Sequence, residues 1–221
     1  MKFLSLLLLA LAATLATART PIEAAVAAYQ RGELAQARAA FTRLSAQGVS
    51  AADYNLAVMH LRRELPLSSE REALRLMTRA AEAGFVTAMV GLAELHELGR
   101  AGLAVDLQRA VLWQRRAAEA GSVDAQVDLA TAYFLGRGAP KDLALAARWY
   151  RIAAQAGDRG AMYLFASMVE AGDGVERDLA EARYWYDAAA RNGDAAAPGK
   201  VRELDAKLTQ PATPAAATAP P

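Results

Sequence analysis

Apolar residues along most of this chain recur at separations of 3, 4 and 7, the spacing of amphipathic helices. Alternating apolar–polar runs of the kind a half-buried strand needs are missing. The helical pattern itself repeats. Ala-Ala-x-x-Gly occurs as AAEAG, AAEAG, AAQAG and AARNG, ending at Gly84, Gly121, Gly157 and Gly193, and LSAQG ends one step earlier at Gly48. Those five glycines are spaced by 36, 37, 36 and 36 residues. Other columns keep the same phase. Alanine lies eleven before each glycine (Ala37, Ala73, Ala110, Ala146, Ala182), and a large residue eight before it in the last four (Leu76, Trp113, Trp149, Trp185). Seven before it stand Phe41, Met77, Gln114, Tyr150 and Tyr186. Four after it comes alanine again, and eight after it Leu56, Leu92, Leu129 and Phe165, each followed by alanine.

Each period therefore predicts two helices. Helix A is expected over roughly 51–63, 87–98, 123–135 and 159–171, and helix B over 70–83, 106–120, 142–156 and 178–192. Asp106, Asp142 and Asp178 stand where helix B begins and suit the N-cap, whose side-chain oxygen accepts an otherwise unpaired N–H. The glycine after helix B suits the left-handed C′ position. Pro21–Ala28 and Leu34–Gln47, joined by Gly32-Glu33, predict an opening hairpin, and Pro198 starts a last helix with Val201, Leu204 and Leu208 on one stripe. The fold class is all-α, an α/α solenoid in which no single unit buries its apolar face alone. The expected divisions are a leader over 1–18, a capping hairpin over 19–48, repeats over 49–84, 85–121, 122–157 and 158–193, a capping helix over 194–209 and a tail over 210–221.

The two ends narrow the setting. MKFLSLLLLALAATLATA has one basic residue, a short apolar run and a small-x-small ending, the form of a cleavable signal peptide. Its apolar run is too short for a comfortable membrane span. Cleavage after Ala18 predicts export to the periplasm or beyond the cell, with no stable membrane insertion afterwards. The Pro-, Ala- and Thr-rich end from Gln210 to Pro221 reads as a flexible tail.

Composition then removes several chemistries. The 221-residue chain contains no cysteine, which excludes disulfides, thiol catalysis and cysteine metal sites. It carries 25 basic and 24 acidic residues, and the loss of Lys2 with the leader leaves 24 of each. Such balance supplies no electrostatic argument for nucleic acid.

The repeat columns resemble the Sel-1-like repeat, a relative of the tetratricopeptide repeat. Residues 125–157 carry the resemblance best, through Leu129, Tyr133, Gly136, Gly138, Asp142, Ala146, Trp149 and Tyr150. It extends over about residues 33–193. The second unit has Gln114 in place of the tyrosine and one extra loop residue, and the first lacks the Gly-x-Gly loop. The resemblance implies a right-handed α/α solenoid acting as an adaptor that holds a protein partner, here a scaffold or regulator of the bacterial envelope. Cysteine-rich relatives are linked to penicillin binding and β-lactamase activity. Without cysteine, that activity does not carry over.

Candidate chemistry is sparse. Gly136-Arg137-Gly138 before Lys141 lacks the spacing and the Gly-Lys-Ser/Thr ending of a phosphate loop, so its glycines read as a bend. His60 and His96 share one repeat column and, being on different hairpins, lie too far apart for one zinc ion. Trp113, Trp149 and Trp185 read as packing between helices rather than as a stacking ladder. No Ser-x-x-Lys, Gly-x-Ser-x-Gly or His-Glu-x-x-His occurs. The expectation is thus a non-enzymatic, monomeric protein-binding module without cofactor or metal. The competing readings are a hydrolase acting on cell wall or β-lactam and a secreted host-interacting factor. By analogy with the tetratricopeptide pattern, helix A lines the concave side, with positions 6, 10 and 13 after each glycine facing it. Tyr54, Phe134 and Tyr163 are the expected apolar anchors, Glu94, Glu97 and Glu170 the polar selectors, and Thr131 lies among them.

Overall fold

The computed structural model describes residues 20–209. The expected leader (1–18) and tail (210–221) lie outside the described residues. Eleven α-helices and no strand occur among them, and the chain divides into two compact units, up to Phe85 and from Val86 onward. Each unit is built of antiparallel helix pairs laid side by side in chain order, the arrangement of an α/α solenoid. No helix among the described residues is long and apolar enough to cross a membrane.

The first unit holds α1 (Pro21–Gln30), α2 (Leu34–Ala46), α3 (Ser50–Leu61) and α4 (Glu70–Glu82). Pro21 opens α1, where its missing N–H costs nothing, and Thr20 and Glu23 form a reciprocal capping box. Phe41, Met59, Leu76 and Met77 make the core, all at most 3 % exposed, with alanines between them. Where the Gly-x-Gly loop is lacking, the α3–α4 connection is held by side chains. The Ser69 N–H donates to His60 Nδ1 at 3.1 Å, and the Tyr29 hydroxyl donates to Glu64 Oε2 at 2.9 Å while accepting from Arg62. Arg63 takes the left-handed conformation (φ 57°) that a glycine would adopt at lower cost. Asp53, 3 % exposed, receives the Arg79 guanidinium from α4 in a two-pronged pair, and Arg79 also donates to Ser45 Oγ at 2.6 Å.

The second unit runs through α5 (Val86–Leu98), α6 (Leu107–Glu119), α7 (Val123–Leu135), α8 (Leu143–Gln155), α9 (Arg159–Ala171), α10 (Leu179–Arg191) and α11 (Ala197–Thr209). Helices pair as α5/α6, α7/α8 and α9/α10, each B helix also packs on the next A helix, and α11 closes on α10. The alanine columns make this possible. Ala110, Ala117, Ala146, Ala153, Ala182 and Ala189 are at most 2 % exposed, and a methyl group at each contact lets helix backbones approach closely. Asp106, Asp142 and Asp178 cap helices B as expected, accepting from the N–H groups of Arg109, Leu145 and Glu181. Ser122 and Asp158 cap α7 and α9 in the same way.

Two expectations need refinement. The tryptophans are half-buried rather than core: Trp185 meets Phe165 edge-on at 5.6 Å, and the Arg116 guanidinium covers Trp113 at 4.6 Å. Their neighbours Tyr150 and Tyr186 are enclosed instead, 3 % and 0 % exposed. The two glycines of the inter-helix loop also divide their work. Gly136 closes α7 in the left-handed region. Gly138 lies so close to α6 that a Cβ there would sit 2.2 Å from the Leu107 carbonyl oxygen, and Gly174 stands in the same relation to Leu143 at the start of α8. The second glycine therefore exists for the approach of one hairpin to the previous one as well as for the turn.

Candidate partner-binding surface

Helices α5, α7 and α9 carry six of the seven residues expected on the binding face, each at its predicted register. Phe134 is half-buried, with Lys141 Nζ 5.8 Å above its ring. Tyr163 is also half-buried and meets Tyr186 at a centroid distance of 5.0 Å. Both side chains are thus half-buried, Phe134 under an exposed ammonium and Tyr163 against a buried ring, so part of each stays accessible to a partner. Tyr54, on α3 of the first unit, rests on Phe85 at 5.4 Å. Glu94 is exposed and 3.6 Å from Arg100, a contact of little energetic weight at the surface. Glu97 faces Arg137 at 3.4 Å. Thr131 donates to or accepts from the Tyr150 hydroxyl at 2.8 Å and lies 2.8 Å from the Val127 carbonyl.

Glu170 departs from its expected role. Its carboxylate accepts from the Tyr186 hydroxyl at 3.0 Å, from Lys200 Nζ at 3.0 Å and from Lys207 Nζ at 3.4 Å. Burial alone would raise its pKa, but the hydrogen bonds from Lys200, Tyr186 and Lys207 outweigh it and hold the carboxyl below its ordinary value. Tyr186 is pushed up to about 12, first by burial and then by its bond to the Glu170 carboxylate. The capping helix α11 supplies both lysines, so Glu170 fastens the end of the array and is no free selector for a partner.

A cavity of about 230 Å³ opens beside Glu97 and Thr131. Its wall adds Gln114 from α6, Asp128 from α7 and Arg137, with Leu107, Val111 and Leu135 as apolar lining. Gln114 is 8 % exposed and its amide oxygen has no hydrogen-bond partner among the described residues. Asp128 has no ion-pair partner among them either, and desolvation, with repulsion from Glu97 and Asp124, raises its pKa. Sequence reasoning reached Glu97 and Thr131 but missed Gln114, Asp128 and Arg137. The available signal was the break at Gln114 in a column that reads tyrosine in the next two units.

The histidines take no part in this surface. Burial lowers both, with repulsion from Arg109 adding at His96, so the neutral imidazole prevails at pH 7. Among the described residues no three His, Cys, Asp or Glu side chains gather in a way that holds a metal ion.

Comparison with known proteins places the repeats. The family profile described as Sel1 repeat matches residues 50–85, 86–122, 123–158 and 160–194. Among solved structures, a Sel1 repeat protein from Oxalobacter formigenes is 32 % identical with a TM-score of 0.70, over 77 % of this chain and 49 % of that one. The c5321 protective antigen of uropathogenic Escherichia coli is 27 % identical with a TM-score of 0.47, over 79 % and 45 %. The Helicobacter pylori cysteine rich protein B is 22 % identical with a TM-score of 0.45, over 59 % and 92 %. The chain thus spans about half the length of the first two. No curated protein matches it significantly.

Proposed function

Because the chain belongs to the Sel1 repeat family, whose members generally mediate protein–protein contacts, we propose that it is a non-enzymatic scaffold or regulator that holds a protein partner on its A helices. The observation that carries this reading is the division of labour between columns. The buried columns do the folding, while Phe134 and Tyr163 occupy positions the repeat leaves free and are only half-buried. Rigid aromatic side chains of this sort supply contact area at low entropic cost and dominate many interfaces. Glu94 and Glu97 lie on the same helix face of α5 and provide charge selection, and Tyr54 offers an equivalent anchor on α3. Export through the leader at 1–18, and work in the bacterial envelope, belong to the same proposal and rest on the signal-peptide pattern.

The test has two stages. Cross-linking in intact cells, followed by identification of the co-purifying protein, supplies the partner. Affinity is then measured for the purified chain and for the Phe134→Ala, Tyr163→Ala double variant. Loss of two anchors should weaken capture by at least about ten-fold, equivalent to about 1.4 kcal/mol, with helix content unchanged. Capture at the parent affinity would refute this placement.

A further inference from the structure

We propose that the α3/α4 hairpin is closed by an acid-sensitive latch, the hydrogen bond from the Ser69 N–H to His60 Nδ1, which releases the connection over residues 62–69 when the imidazole takes up a proton. The latch belongs to the first unit and does not depend on where a partner is held. The other hairpins are closed differently. In each of them the N–H of the aspartate capping helix B donates to a backbone carbonyl of helix A, twelve residues after the repeat glycine. Asp106 donates to His96 at 2.8 Å, Asp142 to Tyr133 at 3.0 Å and Asp178 to Val169 at 3.2 Å. Those carbonyls do not titrate. His60 holds the same column in the first repeat, but its carbonyl accepts from the Arg63 N–H at 3.2 Å, and Ser69, the cap of α4, bonds the side chain at 3.1 Å instead. Among the described residues no other hydrogen bond joins Ser69 to α3. The exchange of acceptor accompanies the loss of the Gly-x-Gly loop, with Arg63 making the left-handed turn.

An imidazole nitrogen accepts a hydrogen bond only while it carries no proton. Nδ1 accepts here, so the neutral ring holds its proton on Nε2. A second proton taken from solvent can add only to Nδ1, where it would set one donor against another. The surrounding charges do not prevent this. Arg38 from α2 and Glu72, Arg75 and Arg79 from α4 line a cavity of about 510 Å³ together with His60. Arg75 is paired with Glu72 and Arg79 with Asp53, while Arg62 and Glu64 of the connection are turned to Tyr29 on α1. Burial is the largest influence on His60 and lowers its pKa; Glu72 pulls the other way and Arg38 adds to burial. The open or unfolded chain therefore binds the extra proton, so closure is complete above the ordinary value of about 6.5 and is lost as pH falls below it. The segment that is released carries Leu67, 88 % exposed, and supplies Leu65 and Pro66 to the cavity wall. Acidification thus remodels one rim of the first unit and leaves the carbonyl-closed hairpins as they are.

The experiment follows the purified chain by NMR at about pH 7.5 and about pH 5, a range in which histidine titrates and most carboxylates stay ionised. Amide exchange is expressed as protection factors, which removes the intrinsic pH dependence of the rate. At the higher pH the ring nitrogen shifts should report the Nε2–H tautomer of His60. At the lower pH the protection of the Ser69 amide should fall about five-fold, the equivalent of one hydrogen bond. The Asp142 and Asp178 amides, in hairpins without histidine, should keep theirs. His60→Asn puts a non-titrating carbonyl oxygen near the place of Nδ1, so the Ser69 protection should no longer change with pH, whether or not the new oxygen holds the bond. The proposal is overturned by unchanged Ser69 protection in the parent, by an equal fall at Asp142 and Asp178, by a fall that persists in His60→Asn, or by an Nδ1–H tautomer at the higher pH.

Discussion

Gly138 offers the sharpest test of how one hairpin is seated on the previous one. It takes φ 72°, and a Cβ added there would sit 2.2 Å from the Leu107 oxygen, 2.7 Å from its carbon and 2.9 Å from Val111 Cγ2. Gly157 takes φ 98° and has nothing within 4 Å of the same added atom. Alanine at either position pays the left-handed penalty of about 1 kcal/mol. Only at Gly138 must the loop also retreat from the first turn of α6, because backbone atoms cannot swing aside as a flexible side chain does. Overpacking of that kind costs about 2 kcal/mol more. Gly157→Ala should therefore destabilise by about 1 kcal/mol and Gly138→Ala by about 3 kcal/mol. Urea unfolding followed by circular dichroism reads the difference. With a slope of about 2 kcal/mol/M, the two midpoints should lie about 1 M apart. Gly174→Ala, with its added atom 2.2 Å from the Leu143 carbonyl carbon, should group with Gly138→Ala. Equal midpoints for Gly138→Ala and Gly157→Ala would refute the claim that close approach, rather than turn conformation, selects the second glycine.

Two further outcomes follow from the charged pairs. Arg79→Met strips the buried Asp53 of its two-pronged partner and should cost about 2 kcal/mol in urea unfolding, while Arg75→Met, which loses only the surface contact with Glu72, should cost less than about 0.5 kcal/mol. Similar losses for the two variants would contradict the burial argument. Glu170 titrates lower in the folded chain than in the unfolded one, so the unfolded state binds the extra proton as pH falls. Its contribution is complete above the unfolded value of about 4.3 and disappears as pH drops through the folded value. The stability gap between the parent and Glu170→Gln should thus be full near pH 7, begin to narrow as pH falls past about 4.3 and close only below the lower folded value. A gap that is constant with pH would mean that Lys200 and Lys207 do not hold the carboxylate.

Much of the architecture was legible before any coordinates. The 36-residue phase placed each helix of the repeats within two residues or so of its observed bounds, and Asp106, Asp142 and Asp178 cap where the pattern put them. The candidate face was legible only in register. Phe134 and Tyr163 lie half-buried on the predicted helices, whereas Glu170 is engaged from within by side chains 30 and 37 residues away. Nothing in the spacing of α9 announces Lys200 or Lys207. The tryptophan column was legible as packing between helices but not in its depth: the neighbouring tyrosines are enclosed and the indoles are half-buried.

What the sequence by itself determined was everything carried by contacts three or four residues apart, namely the helices, their caps, their bends and the period that makes them stack. Those interactions recur in every copy, so repetition makes them readable. What only the tertiary structure decided was what happens where copies differ and meet. The approach of Gly138 to Leu107, the fastening of Glu170 by α11 and the cavity left beside Gln114 each depend on atoms of neighbouring helices arriving at one place. Distance along the chain does not encode such meetings, because they are set by how closely alanine-lined helices pack and by the volume that a single exchanged side chain leaves unfilled.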